Sequence, residues 1–175
     1  AYLFPGAGHV YMRSAWDDPN ATWAFVGCGP QYAGHARDDE GHFLSSKRGA
    51  LVSRQGGQGA NDSDDYGGGS LIYNIVTIFD PTEQFRRNRA NENDGGLLRH
   101  VYEGDGLPRA RGRMVAFENR PESTYAAADI TGGYNRTKAR EVTRQFLYLR
   151  GKPEFFVIFD RVEATHSAFR RHFFL

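Results

Sequence analysis

The stretch Glu141-Val142-Thr143-Arg144-Gln145-Phe146-Leu147-Tyr148-Leu149-Arg150 starts as alternation and ends apolar. Gly151-Lys152-Pro153 interrupts it, and Glu154-Phe155-Phe156-Val157-Ile158-Phe159-Asp160 resumes the pattern. Period-two alternation places successive side chains on opposite faces of an extended chain. Two such runs parted by a Gly/Pro turn make a β-hairpin with a short connection. This hairpin sets the expectation for the whole chain: an all-β domain.

Working outward, strand text recurs at 8–14, 22–28, 41–46, 49–53, 71–79, 97–102, 112–118, 123–130 and 168–175. Lys47-Arg48-Gly49 separates two of these runs as a second tight turn, and Pro81 after Asp80 ends the run that closes at Phe79. No stretch of about 12 residues sustains the i, i+3, i+4, i+7 apolar spacing of a helix. The expected fold is an antiparallel two-sheet sandwich of about ten to twelve strands, covering 1–175 as one domain.

Composition agrees. Gly is 21 of 175 residues, well above the usual ~7%, which indicates many turns. Aromatics reach 14%, and such rings suit strands and sugar-binding surfaces. Lys+Arg 22 against Asp+Glu 21 gives a net charge of +1, so no nucleic-acid or membrane-surface partner is expected. No apolar run reaches the ~18 residues of a membrane span. Cys28 is the single cysteine, inside Trp23-Ala24-Phe25-Val26-Gly27-Cys28, and is read as a buried small hydrophobe.

Two loops stand out. Residues 54–69 carry a run of glycines around Asn61-Asp62-Ser63-Asp64-Asp65, and residues 84–96 are polar and charged. Neither can bury much apolar area, so both are expected to be exposed and mobile. The densest polar cluster is Gly34-His35-Ala36-Arg37-Asp38-Asp39-Glu40-Gly41-His42-Phe43, which enters a strand. A histidine there can act as acid or base near neutral pH, or bind zinc with a carboxylate. The alternative is a solvated acidic turn with His42 packed neutrally on its strand.

Several segments, in order, resemble the C-terminal β-sandwich domain of the heparinase II/III-like polysaccharide lyases. His9-Val10-Tyr11-Met12-Arg13-Ser14-Ala15-Trp16-Asp17 looks like that family's opening strand, and Thr22-Trp23-Ala24-Phe25-Val26-Gly27-Cys28-Gly29-Pro30 like its second. Gly34-His35 to Gly41-His42-Phe43 is similar to its His-x-His-x-Asp-x-Gly-x-Phe signature. Gly49-Ala50-Leu51-Val52 looks like the strand that follows. Tyr73-Asn74-Ile75-Val76-Thr77-Ile78-Phe79-Asp80-Pro81 resembles its His-Asn-Thr-Val strand. Thr143-Arg144-Gln145-Phe146-Leu147-Tyr148-Leu149 and Phe156-Val157-Ile158-Phe159-Asp160-Arg161-Val162 resemble its late strands.

The resemblance implies β-elimination on acidic, uronate-containing polysaccharide, in a periplasmic or secreted setting. A base removes the C5 proton while positive charge neutralises the carboxylate and the developing enolate. An acid then protonates the leaving O4. In that family a helical toroid preceding the sandwich supplies a tyrosine and much of the groove, so the chain is expected to be the sandwich part of a longer protein and to partner such a helical domain, with homo-oligomerisation also open. Carried over residue by residue, His35 falls on the signature's first histidine, the catalytic acid/base position. Asp39 and Phe43 fall on its Asp and Phe. Arg37 stands at the second histidine, a zinc ligand; Ser53 or Arg54 stands at a ligand Asp; Tyr73 stands at the later ligand histidine. With all three ligands replaced, no zinc and no other cofactor is expected. Arg37 or Arg54 would supply positive charge instead.

Arg37, Asp39, Arg54, Tyr73 and Tyr134 are thus the expected substrate-binding residues. Tyr134, in Asp129-Ile130-Thr131-Gly132-Gly133-Tyr134, would stack on a sugar or else pack at the core edge. Arg140 and Arg144 share one strand face and are read as solvated, with contact to substrate carboxylates as the other option. His100, His166 and His172 are read as structural. A binding module for acidic glycans that lacks chemistry, or a purely structural sandwich, are the competing readings.

Overall fold

The computed structural model describes residues 1–30, 39–53, 70–83, 93–97 and 112–175. Among these residues there are eleven strands, two 3-10 turns and no α-helix. The first sheet is a meander in which each strand pairs antiparallel with the next: β1 (Tyr2–Phe4), β2 (His9–Arg13), β3 (Trp23–Gly27), β4 (Phe43–Ser46) and β5 (Ala50–Val52). The second is also antiparallel, in the order β10-β9-β8-β7, from β7 (Arg113–Asn119), β8 (Ser123–Asp129), β9 (Ala139–Leu149) and β10 (Phe155–Ala164). β6 (Val76–Phe79) and β11 (Arg170–Phe173) form a small third sheet.

The hairpin that fixed the fold class is β9–β10, with Leu149 opposite Phe155 and the ladder running to Glu141 opposite Glu163. Its inner face carries Val142, Arg144, Phe146 and Tyr148, all buried. Phe146 and Tyr148, with Ala126 of β8, pack against Val10, Met12, Ala24, Val26 and Phe43 of the first sheet. Phe43 and Phe146 meet at 5.6 Å, and Tyr148 stacks on Phe156 at 4.6 Å between ring centroids. Val142, further along the same face, packs instead with Ile72, Tyr73, Ile75, Ile78, Leu97 and Tyr134. One side of the second sheet therefore covers both the first sheet and the small one, and a third sheet joins the two expected.

Three expectations change. The run 71–79 is not one strand: Ser70–Ile72 forms a 3-10 turn and the strand starts at Val76. Its leading apolar residues are buried because the turn itself is buried, and an apolar run alone does not tell the two apart. Leu97 is fully buried outside any strand, and 98–102 lie outside the described residues. Residues 93–96, expected in an exposed loop, are tied inward. Asn93 donates to the Asp80 carbonyl (2.5 Å), Asp94 accepts from the Ser70 and Gly96 amides, and the Ile78 amide donates to the Gly95 carbonyl (2.7 Å). The rest of the two long loops, 54–69 and 84–92, lies outside the described residues.

The β9–β10 turn is locked by Glu154. Its carboxylate accepts from the Thr22 hydroxyl, from Lys47 Nζ (2.7 Å) and from the Tyr148 hydroxyl (2.5 Å), so it links the turn to the first sheet. Burial pushes the carboxyl pKa up, but the hydrogen bonds from Lys47, Thr22 and Tyr148 outweigh it and hold the pKa below its ordinary value. Tyr148 moves the other way, to about 12, by burial and by its bond to Glu154. A carboxyl with a depressed folded pKa stabilises the fold above its unfolded pKa, and that stability is lost as pH falls through the folded value. Glu154→Gln is expected to cost about 1–2 kcal/mol at pH 7. The gap from wild type should close as pH drops below about 4, as measured by denaturant midpoints across pH.

Candidate functional site

The C-terminal half of the polar signature, Asp39 to Phe43, is wired into a buried node where all three sheets meet. The Gly41 amide donates to the Gly27 carbonyl (2.7 Å) and the Gly27 amide to the His42 carbonyl (3.1 Å), which extends the β3–β4 pairing into the signature. The His42 amide closes a turn on the Asp39 carbonyl (2.8 Å). Gly41 has φ +84°, a backbone conformation that favours glycine, and a Cβ there would lie 2.3 Å from Ile130 Cδ1, whose side chain would have to shift.

Asn74 clamps this segment from the chain entering β6. Its Nδ2 donates to the Phe43 carbonyl (2.7 Å) and its Oδ1 accepts from the Phe43 amide (2.9 Å). Those two bonds fix which end of the amide is oxygen. The same Oδ1 lies 2.9 Å from His42 Nδ1, so Nδ1 is the protonated nitrogen of that ring. Tyr73 packs its ring edge-on to His42 at 5.0 Å.

Arg144 closes the node from the second sheet. Nη1 donates to the carbonyls of Gly41 (2.7 Å) and Asn74 (2.6 Å), while Nε and Nη2 form a fork on Asp160 (2.7 and 2.8 Å). Its guanidinium lies near the rings of Phe43 and Phe173. Arg140 is exposed and pairs with Glu163, but Arg144 is 2% exposed. The reading of both as solvated is therefore corrected for Arg144, and so is the shared face: a register shift between Glu163 and Ala164 leaves Arg140 without a cross-strand partner, where it meets Glu163 on the exposed face, while Arg144 points inward to Asp160.

The expected site residues fall in different settings. His35, Arg37 and Arg54 lie outside the described residues. Asp39 is half-buried at the start of the node. Tyr73 is 3% exposed. Tyr134 is 2% exposed, with its hydroxyl donating to the Val76 carbonyl, and burial raises its pKa. In this conformation Tyr134 is a core tyrosine, the alternative open from the sequence, and its hydroxyl faces no groove. His42 is buried at the entry to β4, and His172 lies on β11. Among the described residues no group of three His, Cys, Asp or Glu side chains is arranged to hold a metal.

Cys28 is 1% exposed, and burial, reinforced by the nearby Glu40 and Asp129 carboxylates, raises its pKa. It is an inert core thiol, as its apolar sequence context indicated. Glu40 is 3% exposed and lies over Gly133, where a Cβ would come within 2.5 Å of its Oε2. Sequence reasoning singled out neither Asn74 nor the Arg144–Asp160 fork as site residues, although both lie in segments that carry the family resemblance. No protein-family model and no curated protein matches the chain, so what this site does is argued from its own residues.

Proposed function

We propose that the chain is the β-sandwich portion of a polysaccharide lyase that acts on uronate-containing polysaccharide by β-elimination, with His35 as the catalytic acid/base. One observation carries the reading. The segments that resemble the lyase sandwich, distant in sequence, converge on one node: Gly41-His42-Phe43, Tyr73-Asn74, Arg144 and Asp160 are joined by direct hydrogen bonds. The node anchors the chain at Asp39–Phe43, directly after the segment that contains His35. A rigid anchor next to an acid/base is what proton transfer at a defined atom requires.

On this reading Arg37 and Arg54 supply the positive charge that a uronate carboxylate and the enolate need. Asp39, at the start of the node, is a substrate-binding residue on this reading. A helical domain of the parent protein supplies the remaining groove and the tyrosine. The second reading, a sandwich that binds acidic glycan without chemistry, is favoured by the residues that stand in place of the family's zinc ligands, Arg37, Ser53 or Arg54, and Tyr73.

The experiment is His35→Ala in the full-length parent, followed by ultraviolet absorbance of the unsaturated uronate product from alginate, heparin and polygalacturonate. The expected result is turnover lost by about 10²–10⁴-fold with polymer binding retained. Unchanged turnover in the variant would overturn the role of His35. A parent that binds these polymers and cuts none of them would establish the binding module instead.

A further inference from the structure

The outer face of the first sheet is paved with aromatic rings. Register puts Tyr2, Tyr11, Phe25 and Leu44 in one cross-strand row, Phe4, His9 and Gly27 in the next, and Arg13, Trp23 and Ser46 in a third. These residues alternate with the buried Val10, Met12, Ala24, Val26 and Phe43, so they face away from the His42–Asn74 node. The rings touch in two groups: Trp16 with Tyr2 at 5.2 Å, and beside them Phe4 with Tyr11 at 5.7 Å, Tyr11 with Phe25 at 5.1 Å and Phe25 with His9 at 5.1 Å.

Part of this paving has a structural cause. A Cβ at Gly27 would lie 2.8 Å from Phe25 Cζ, so the Phe25 ring lies across bare backbone and covers it. That does not account for Tyr2, Phe4 and Trp16, which are 59%, 53% and 52% exposed. Contiguous exposed rings mark an interaction surface.

The chemistry of the face selects the partner. Its three rows hold no carboxylate, and burial lowers the His9 pKa, which leaves Arg13 as the fixed charge. Arg13 donates Nε to the Ala15 carbonyl (3.0 Å) and Nη2 to the Asp18 carbonyl (2.6 Å), which sets its guanidinium 5.9 Å from the Trp16 ring centre. Its Nη1 makes no hydrogen bond among the described residues. Asp17 and Asp18 follow Trp16 in that loop, and the Asp18 carboxylate is turned onto the Asn20 amide (2.8 Å). Aromatic faces are electron-rich and attract the polarised C–H face of a pyranose ring. A guanidinium beside them matches a sugar carboxylate. The other exposed sheet face offers no comparable match: Phe155, Val157 and Phe159 lie opposite Leu149, Leu147 and Gln145, and its Arg161 is paired with Glu141.

We propose that this aromatic face binds a polyuronate chain, with sugar rings stacked on Tyr2, Phe4 and Trp16 and a carboxylate held by Arg13. The binding needs no chemistry at His35 and stands or falls separately from the lyase reading. The test is affinity gel electrophoresis of the chain in polygalacturonate, with hydroxyethylcellulose as the neutral control. Expected is retardation by polygalacturonate that weakens about two- to ten-fold for each ring removed in Tyr2→Ala and Trp16→Ala. Phe4→Ser serves as a third exposed-ring variant, and near-ultraviolet dichroism reports the fold of each. Arg13→Lys, which keeps the charge, should retain more binding than Arg13→Gln. No retardation, retardation unchanged by the ring variants, or equal retardation in the neutral gel would overturn the proposal. So would a dimer in size-exclusion chromatography that dissociates in the ring variants, since the face would then be covered by a second copy.

Discussion

Replacing Arg144 by lysine is expected to destabilise the fold by about 3 kcal/mol, and replacing it by methionine by about 4–5 kcal/mol. The side chain is buried and makes four hydrogen bonds that tie β9 to β10, to the loop before β4 and to the chain entering β6. Lysine keeps the charge but is a single ammonium on a flexible stem. It cannot hold the Asp160 fork and both carbonyls in one plane. Methionine fills the volume but leaves the carbonyls of Gly41 and Asn74 without these donors and the Asp160 carboxylate without its partner. Each such loss costs roughly 1–3 kcal/mol, and the losses overlap because they share one side chain. Asp160→Asn keeps an acceptor in place and should cost less, about 1–2 kcal/mol, because the Asp160 side chain is 19% exposed and partly solvated already. Urea denaturation of the variants measures this order. A lysine variant as stable as wild type would mean that the fork contributes nothing, and the node would then be held by Asn74 alone.

Arg144 also shows what the sequence could and could not reveal. The hairpin from 141 to 160 was legible because two strand-like runs, the first starting as alternation and the second apolar, are broken by Gly151-Lys152-Pro153. Alternation also put Arg140 and Arg144 on one face, and there it failed: the register shift between Glu163 and Ala164 breaks the period, so Arg140 meets Glu163 on the exposed face while Arg144 is buried. It could not say which face was inside at each point along the strand. The inner face of β9 runs from Tyr148 and Phe146, under the first sheet, to Arg144 at the junction and Val142 beside the small sheet. An arginine at a three-sheet junction is satisfied by backbone carbonyls that only the assembled fold brings together, so no local pattern announces it. The same holds for Asn74, whose partner Phe43 is 31 residues away. At Ser70–Ile72 a buried 3-10 turn carries the apolar residues of a strand, and periodicity has no means to separate them. Of the candidate site, the convergence of the family-like segments was legible only as an order of motifs along the chain.

The second large effect lies in the core beside the small sheet, where Lys138 and Glu83 form an ion pair. Lys138 Nζ donates to Glu83 Oε2 (2.6 Å) and to the Gly96 carbonyl (2.6 Å), and the paired side chains are 0% and 1% exposed. Burial dominates both groups: it raises the Glu83 pKa and lowers that of Lys138, while their mutual attraction opposes both shifts. Each residue is the largest single influence favouring the other's charged form, with Asp94 and Asp80 adding to it at Lys138 and Asn135 at Glu83. Lys138→Met is expected to cost about 3–5 kcal/mol at pH 7, a large part of the stability of a domain this size, because it strands a carboxylate in the core. The pH dependence has a definite sign. Without Lys138 the folded pKa of Glu83 rises further above its unfolded value, so the folded state binds the extra proton and the variant regains stability as pH falls from 7 toward about 4. The double variant Lys138→Met/Glu83→Leu removes both charges and should recover most of the loss at pH 7. About 1 kcal/mol should remain missing, for the Gly96 carbonyl that loses its donor. Denaturant midpoints for the single and double variants at pH 5 and pH 7 decide the matter. A single variant whose deficit is the same at both values would show that Glu83 stays ionised without Lys138, and that burial does not govern this pair.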